Sequence, residues 1–196
     1  MAAMATLALL AACGSETVPL PAPPEGVAAL DFTQGFVSGS QVRIRHTCDG
    51  LNLSPEVTWR GLPEAAETIT IIVNDPDAPD GVFIHWVAYD IPASLSRMDE
   101  GTAGAVKLLR GGGVQGPSGF GIFGFSGPCP PREETHRYVL HIYALDAPLG
   151  LEPGVKGVEV AQAMDGHVLA HGSVSGVYKR TPPSDQNIVF NTAPEP

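Results

Sequence analysis

The sequence is short of charged residues, of aromatic residues and of cysteine. Charged residues make up 16% and aromatic residues 7% of the 196 positions, and there are 3 cysteines. Lys and Arg number 11 against 21 Asp and Glu, so the formal charge is −10. An acidic chain repels nucleic acid and acidic membrane surfaces, so we expect neither to bind its folded domain. No GxSxG and no HExxH motif occurs, which argues against a serine hydrolase of that type and against a zinc protease.

Glycine and proline are abundant, and they predict many turns and few long helices. The chain has 23 Gly and 19 Pro. Alternating or β-branched segments predict strands at 42–47, 56–59, 68–74, 83–89, 137–145 and 171–178. Near-helical spacing of apolar residues predicts one helix at 158–169, which Gly166 weakens. The fold class expected is mainly β, a two-sheet sandwich with one or two peripheral helices.

The N-terminus predicts export. Residues 1–12 are apolar, too few to span a bilayer, and typical of a signal peptide, although no Lys or Arg precedes them. The run ends Leu10-Ala11-Ala12-Cys13-Gly14, which resembles the lipobox of bacterial lipoproteins. That resemblance implies cleavage before Cys13, lipidation of Cys13, and a membrane-anchored protein that faces the periplasm or the cell surface. The alternative is an ordinary secretory leader with an incidental cysteine.

The rest of the chain divides into three parts. Residues 13–29 are proline-rich and predict an extended tether, residues 30–180 the folded domain, and residues 181–196 a C-terminal tail. Within the tail, the apolar segment 188–190 is a candidate for docking on the domain.

Three segments of the domain carry candidate chemistry. Asp75 and Asp77 end a buried strand between prolines, and Asp75 points the way its buried face does. His85 lies in an apolar strand, where strict alternation places it with Phe83, Val87 and Tyr89. His136 and Tyr138 share one face of the 137–145 strand. Each segment also has a plainer interpretation, as a turn for the acidic pair and as a core residue for a lone buried histidine.

A glycine-rich loop at 111–130 precedes the last of these segments. Its residues 119–124 match GxGxxG, but prolines follow where a helix must begin, so we reject a dinucleotide site. Glycines let a backbone approach a ligand closely, and Gly127 is the candidate for that contact.

Taken together, these segments resemble the phosphatidylethanolamine-binding protein family, in particular its prokaryotic Raf-kinase-inhibitor-like branch. The resemblance covers about 35–178 and rests on Thr47-Cys48-Asp49-Gly50, Ser54-Pro55, Asp75-Pro76-Asp77-Ala78-Pro79, His85-Trp86-Val87, Asp90-Ile91-Pro92, Gly127-Pro128-Cys129-Pro130-Pro131, His136-Arg137-Tyr138, Tyr143-Ala144-Leu145-Asp146 and Ala163-Met164-Asp165-Gly166-His167.

The resemblance implies a two-sheet β fold with a small cavity that binds phosphate, acetate or a phosphoryl headgroup. Because none of the matched segments presents an obvious nucleophile beside His85 or His136, we expect a binding protein without a cofactor and not an enzyme. The implied lining is Asp75, Asp77, His85, the Gly127 backbone, His136 and Tyr138. Three alternatives for the same pocket stay open. They are inhibition of a protease or another protein partner, acid–base catalysis by Asp77 and His136, and a metal site of Asp75, His85 and His136.

Two local features are expected beside this pocket. Two cysteines in an oxidising compartment usually pair, so Cys48 and Cys129 are predicted to form a disulfide, the alternative being two buried free thiols. The family also carries cis peptides beside the pocket, and Ala78-Pro79 is the natural candidate because an X-Pro bond adopts the cis form at low cost.

Overall fold

The computed structural model describes Leu20, Glu25, residues 28–34, 38–104, Lys107 and 109–180. The predicted signal peptide, the lipidation site Cys13, most of the tether and the tail with its 188–190 segment lie outside the described residues. Within the described part of the chain, no helix combines the length and the apolar character needed to cross a membrane.

The described residues form two β-sheets, which confirms the predicted fold class. The first sheet has six strands in the order β1-β9-β8-β4-β5-β7, and the second has three in the order β2-β3-β6. The elements in chain order are β1 (Ala28–Ala29), β2 (Asp31–Gln34), a 3₁₀ helix (Ile44–His46), β3 (Val57–Arg60), β4 (Thr68–Asp75), β5 (Phe83–Pro92), β6 (Arg97–Met98), β7 (Val114–Gln115), β8 (Thr135–Leu145), α1 (Gly157–Ala163) and β9 (Val168–Lys179). Since β1 pairs with β9 in parallel, the sheet begins two residues before the predicted domain boundary at residue 30.

Strand β4 lies in the middle of the larger sheet and is buried on both faces. Its inner face, with Ile71 and Val73, packs toward the smaller sheet and Trp59 in the main core. Its outer face, with Ile72, joins a second apolar cluster that includes Val160 of α1. All eight residues of β4 are buried, so the strand holds the side chain at its end, Asp75, in a fixed position.

The prediction of a strand at 42–47 is wrong. Residues Ile44–His46 form a 3₁₀ helix, which the hydroxyl of Thr47 closes by donating to the Ile44 carbonyl at 2.9 Å. Apolar residues and arginines alternate in this segment, which is the pattern of a half-buried strand. In the structure, however, Ile44 is 62% exposed, and of the two apolar residues Val42 and Ile44 only Val42 belongs to the main core.

The predicted helix begins close to the expected place but ends six residues early. Helix α1 spans Gly157–Ala163, and β9 begins at Val168. Gly166 adopts a φ of 79°, a left-handed conformation that a glycine adopts easily and that turns the chain out of the helix. The predicted C-terminal half of the helix is therefore a turn followed by the start of a strand.

Candidate functional site

A cavity of about 260 Å³ lies where β4 and β8 meet at one end of the larger sheet. Asp75, the last residue of β4, and His136, the second residue of β8, are its buried ionisable groups. The lining as a whole is Asp75, the loop residues 78–82, Phe83, Phe120, Cys129, Pro130, Pro131 and His136.

Asp75 and His136 form a buried pair within this lining. The Nδ1–H of His136 donates to Asp75 Oδ2 at 2.7 Å, and the Asp77 amide donates to Asp75 Oδ1 at 2.9 Å. Asp75 is thus engaged through both oxygens, and it fixes the orientation of the His136 ring.

The other ring nitrogen of His136 contacts an acidic side chain near the surface. Its Nε2 lies 3.2 Å from Oε2 of Glu134, whose side chain is 59% exposed. Burial lowers the pKa of His136, but the hydrogen bonds and charges of Asp75 and Glu134 outweigh burial and raise this pKa above its ordinary value. A larger fraction of the ring is therefore charged near neutral pH than in a free histidine.

His85 reaches this end of the sheet through a β-bulge. Val73 pairs with Trp86 and Asn74 pairs with Ile84, so His85 is an extra residue between them. Bulges of this kind re-aim side chains and are common near functional sites. The prediction that His85 shares a face with Val87 and Tyr89 is wrong, because those two residues belong to the outer cluster.

The ring of His85 lies next to the cavity but is not part of its lining. The ring centroid is 5.2 Å from that of Tyr138 and 4.9 Å from that of Phe83. Phe120, which is 53% exposed, contacts Phe83 with tilted rings and 4.6 Å between the centroids. Nδ1–H donates to the Ser126 carbonyl at 2.6 Å. Burial lowers the pKa of His85, so the ring is held neutral behind the two phenylalanines.

Tyr138 contributes a hydroxyl that lacks a partner at good hydrogen-bonding geometry among the described residues. The side chain was predicted to line the cavity, but it is fully buried next to it and is not part of its lining. The Asp75 carboxylate and the Cys129 backbone are its polar neighbours. Burial and the Asp75 charge raise the pKa of Tyr138 well above its ordinary value. The hydroxyl therefore stays protonated and can donate a hydrogen bond.

Asp77 and Gly127, both predicted to line the site, are used elsewhere. Asp77 accepts from the backbone amide of Arg137 at 2.8 Å and from its guanidinium at 3.4 Å, which ties the 75–77 turn to β8. The Gly127 amide donates to Asn52 Oδ1 at 2.6 Å, and a Cβ at this position would overlap the His46 carbonyl. Neither residue lines the cavity, and the absence of a side chain at Gly127 makes room for the protein's own backbone.

The predicted disulfide between Cys48 and Cys129 is confirmed, with 5.4 Å between the two Cα atoms. Because Cys129 lines the cavity, this bond ties the wall of the site to the segment after the 3₁₀ helix. The expectation of a cis bond at Ala78-Pro79 is wrong, since the peptides of the described residues are all trans.

The sequence analysis missed three residues that shape the site: Glu134, Phe120 and Asn52. Glu134 had a usable signal, because it precedes His136 by two positions and strand residues spaced by two share a face. An aromatic residue in a glycine-rich loop was a weaker signal for Phe120. Nothing in the sequence pointed to the bond between Asn52 and Gly127.

The proposed metal trio of Asp75, His85 and His136 does not assemble. Nδ1 of His85 is bonded to Ser126, and Nδ1 of His136 to Asp75. In the part of the chain that the structure describes, no group of three or more His, Cys, Asp or Glu side chains is arranged to hold a metal ion.

Comparison with known proteins gives a consistent result in sequence and in structure. Residues 32–179 match the family model described as phosphatidylethanolamine-binding protein. A protein of Methanothermobacter thermautotrophicus named UPF0098 protein is 42% identical over 148 residues, which cover 76% of this chain and 97% of the relative. A protein of the same name from Aquifex aeolicus is 40% identical over 152 residues, 76% of this chain and 87% of the relative.

Two solved structures resemble this one. The first is described as a putative phosphatidylethanolamine-binding protein homolog, CT736, from Chlamydia trachomatis, with a TM-score of 0.69, 34% identity, and coverage of 78% of this chain and 98% of that one. The second is E. coli YbcL, described as a new member of the mammalian PEBP family, with a TM-score of 0.71, 29% identity, and coverage of 78% and 99%. The chain belongs to the phosphatidylethanolamine-binding protein family.

Proposed function

We propose that this protein binds a small oxyanion, such as phosphate or a phosphoryl headgroup, at the cavity between Asp75 and Phe120, and that it catalyses no reaction. The observation that carries the proposal is the His136 ring in the cavity wall, which the buried Asp75 carboxylate orients, with the Tyr138 hydroxyl buried next to this pair without a well-placed partner. A buried donor without a partner costs about 1–3 kcal/mol, and a ligand oxygen removes that cost.

Two side chains, His136 and Tyr138, donate hydrogen bonds to the anion. His136 offers Nε2–H, whose orientation Asp75 fixes from the other side of the ring, and Tyr138 offers its hydroxyl. The Glu134 carboxylate already contacts His136 Nε2 at 3.2 Å, which supports the view that Nε2–H can donate to the oxygen of an anion. The bound anion replaces Glu134 at that position.

The chemistry of the lining supports binding rather than catalysis. A covalent mechanism needs an activated Ser, Thr, Cys or Lys, or a comparable nucleophile. The described lining residues include no Ser, Thr or Lys, and the sulfur of Cys129 is bound in the disulfide. Carboxylates and imidazoles can also act as nucleophiles. In the buried pair of this lining, however, Asp75 is engaged through both oxygens and His136 through both ring nitrogens. The apolar wall formed by Phe83 and Phe120 shields the anion from water without offering a reacting group.

Phosphate titration by isothermal calorimetry tests the proposal. We expect His136→Gln to weaken phosphate binding by at least about tenfold, because a charged hydrogen bond is worth about 1.5–3 kcal/mol. Tyr138→Phe should weaken it by about two- to tenfold, the value of a neutral hydrogen bond. His167→Gln is the matched control, since His167 is exposed and bonds Asp146 outside the cavity. Equal affinity of His136→Gln and the unmodified chain would contradict the proposal.

We further propose that the domain acts at a membrane surface after export, attached through lipid on Cys13. The support is the lipobox-like run Leu10-Ala11-Ala12-Cys13-Gly14 together with the proline-rich segment that follows it. Membrane fractionation of cells that express the full chain, with Cys13→Ser as the comparison, tests this point. The unmodified chain should sediment with membranes and carry the added mass of the lipid. A chain without that mass would contradict the proposal.

A further inference from the structure

A pair of histidines lies on the outer face of the larger sheet, on the opposite side from Asp75 and His136. His141 of β8 and His171 of β9 stand on neighbouring strands, and Nδ1 of His141 is 3.2 Å from Nε2 of His171. Nε2 of His141 lies 3.0 Å from Oδ1 of Asn74 on β4. The anion site uses none of these three residues.

The Asn74 contact determines which nitrogen of His141 carries the proton. Because Nε2–H donates to Asn74, Nδ1 of His141 presents its lone pair toward His171. Without an ion, His171 supplies its Nε2–H to that lone pair. If the proton of His171 moves from Nε2 to Nδ1 of the same ring, the lone pairs of His141 Nδ1 and His171 Nε2 face each other. Both rings stay neutral in this change.

The distance between the two nitrogens suits a shared metal ion. Two nitrogens 3.2 Å apart subtend an angle of about 100° at an ion about 2.0–2.1 Å from each of them. This angle lies between the tetrahedral and the square-planar values. The Asn74 oxygen is also the kind of outer partner that a metal-binding histidine requires, because it holds the ring orientation through the second nitrogen.

We propose that His141 and His171 bind one divalent transition-metal ion of the kind that prefers imidazole, such as Zn²⁺ or Cu²⁺, with water at the remaining positions. Tyr143 keeps the His171 ring in place, with 4.6 Å between the two centroids. Ser173, which pairs with His141 in the β-ladder, is exposed, so an ion and its waters reach the pair from solvent.

The competing account is a plain histidine–histidine hydrogen bond that only holds β8 to β9. His171→Gln separates the two accounts, because a glutamine amide can still donate to His141 Nδ1 but supplies no imidazole. On our proposal this variant keeps its melting temperature within a few degrees but loses the ion. If the hydrogen bond is only structural, neither the unmodified chain nor the variant binds the metal ion.

Calorimetric titration of untagged protein with ZnCl₂, in buffer without phosphate, provides the test. We expect one ion per chain with a micromolar dissociation constant, and binding more than about tenfold weaker in His171→Gln and in His141→Gln. His167→Gln and His136→Gln are the controls, and both should bind zinc like the unmodified chain. If His141→Gln does not fold, the half-buried His171 position decides the matter alone.

Electron paramagnetic resonance with Cu²⁺ gives a second readout that identifies the ligands. Hyperfine splitting from two equivalent imidazole nitrogens is expected for the unmodified chain, and splitting from fewer nitrogens for His171→Gln. No binding up to millimolar metal would overturn the proposal. So would binding that survives His171→Gln, or binding that disappears in His136→Gln.

Discussion

At the scale of single residues, the proposed anion site depends on the two ring nitrogens of His136. One is held by the buried Asp75 carboxylate and the other by the exposed Glu134 carboxylate. The buried contact fixes the ring, whereas an exposed ion pair contributes only about 0–1 kcal/mol. We therefore expect an incoming anion to displace the Glu134 contact and not the Asp75 contact.

Replacing Glu134 by glutamine should strengthen anion binding. The substitution removes a competing carboxylate from His136 Nε2, and the expected gain is about two- to fivefold, the size of an exposed ion pair. The measurement is sulfate affinity by calorimetry at pH 6, which lies below the ordinary histidine pKa of 6.5, and Asp75 still raises the pKa of His136 in the variant. Glu133→Gln is the matched control, because it makes the same charge change on a side chain that pairs with Lys179. An equal gain in both variants would contradict direct competition by Glu134.

Anion binding should weaken as the pH rises. When His136 loses its proton, the remaining hydrogen stays on Nδ1 toward Asp75, and Nε2 then presents a lone pair that repels an oxyanion. Asp75 and Glu134 raise the pKa of His136, while the neighbouring His85 is kept neutral by burial, so the loss should occur above pH 6.5. The pKa of Tyr138 is raised, so its hydroxyl remains a donor throughout.

Sulfate titrations from pH 6 to 9 test this pH dependence without a change in the charge of the ligand. The unmodified chain should lose affinity across this range, and His136→Gln should show weak binding that does not vary with pH. Constant affinity of the unmodified chain from pH 6 to 9 would be incompatible with a donor at His136.

At the scale of secondary-structure elements, the sequence predicts the strands better than it predicts what lies between them. The β-branched run of β4 and the aliphatic run of β8 bury their side chains, and burial makes their pattern readable. The bulge at His85 was not predictable, because a two-residue period assumes that no extra residue interrupts the pairing. For the same reason the companions of His85 were predicted wrongly.

The loop before β8 shows a different limit of prediction. Its glycines predict a backbone that approaches a ligand closely, but a glycine does not specify which group comes close to it. Gly119 lies against the Phe83 ring and Gly127 against the His46 carbonyl, so both serve packing within the protein. Asp75, His136 and Tyr138 were predictable because each follows from alternation along a strand.

Removing the disulfide should destabilise the domain substantially. Cys48 and Cys129 are separated by 81 positions, and in the chain-entropy model a crosslink of that span contributes about 3–5 kcal/mol. The measurement is the free energy of unfolding in urea for the Cys48→Ala/Cys129→Ala double variant. Phosphate affinity should also fall, since Cys129 forms part of the cavity wall. A loss of stability below about 1 kcal/mol would contradict this role of the crosslink.

At the scale of the whole molecule, one sheet separates two polar sites. The inner-face end of the larger sheet carries the cavity proposed to bind an anion, and the outer face carries the His141–His171 pair. The formal charge of −10 opposes the approach of anions, so binding at the cavity depends on aimed donors rather than on net attraction. The same charge favours cations at the outer face.

Folding stability should decrease between neutral pH and about pH 5, in part through His85. Burial lowers the pKa of His85 below its ordinary value of 6.5, so the unfolded chain takes up this proton before the folded chain does. Stability from this group is present above pH 6.5 and is lost as the pH falls. The raised pKa of His136 acts in the opposite direction, with stability that is present below pH 6.5 and lost as the pH rises through its folded-state value.

Urea unfolding at pH 7 and pH 5 isolates the contribution of His85. The stability difference between the two pH values should be smaller in His85→Gln than in the unmodified chain, whereas His167→Gln should leave it unchanged. An unchanged difference in His85→Gln would show that the proton does not couple to folding at this position.

The most direct test of the anion site is a nuclear magnetic resonance titration of the protein, labelled with ¹⁵N in its histidine rings, with inorganic phosphate. The account predicts that the largest shift occurs at Nε2 of His136, that Nδ1 keeps the signature of its bond to Asp75, and that the shift disappears in His136→Gln. Saturating phosphate that leaves the His136 ring unchanged, or that shifts another histidine instead, would contradict it.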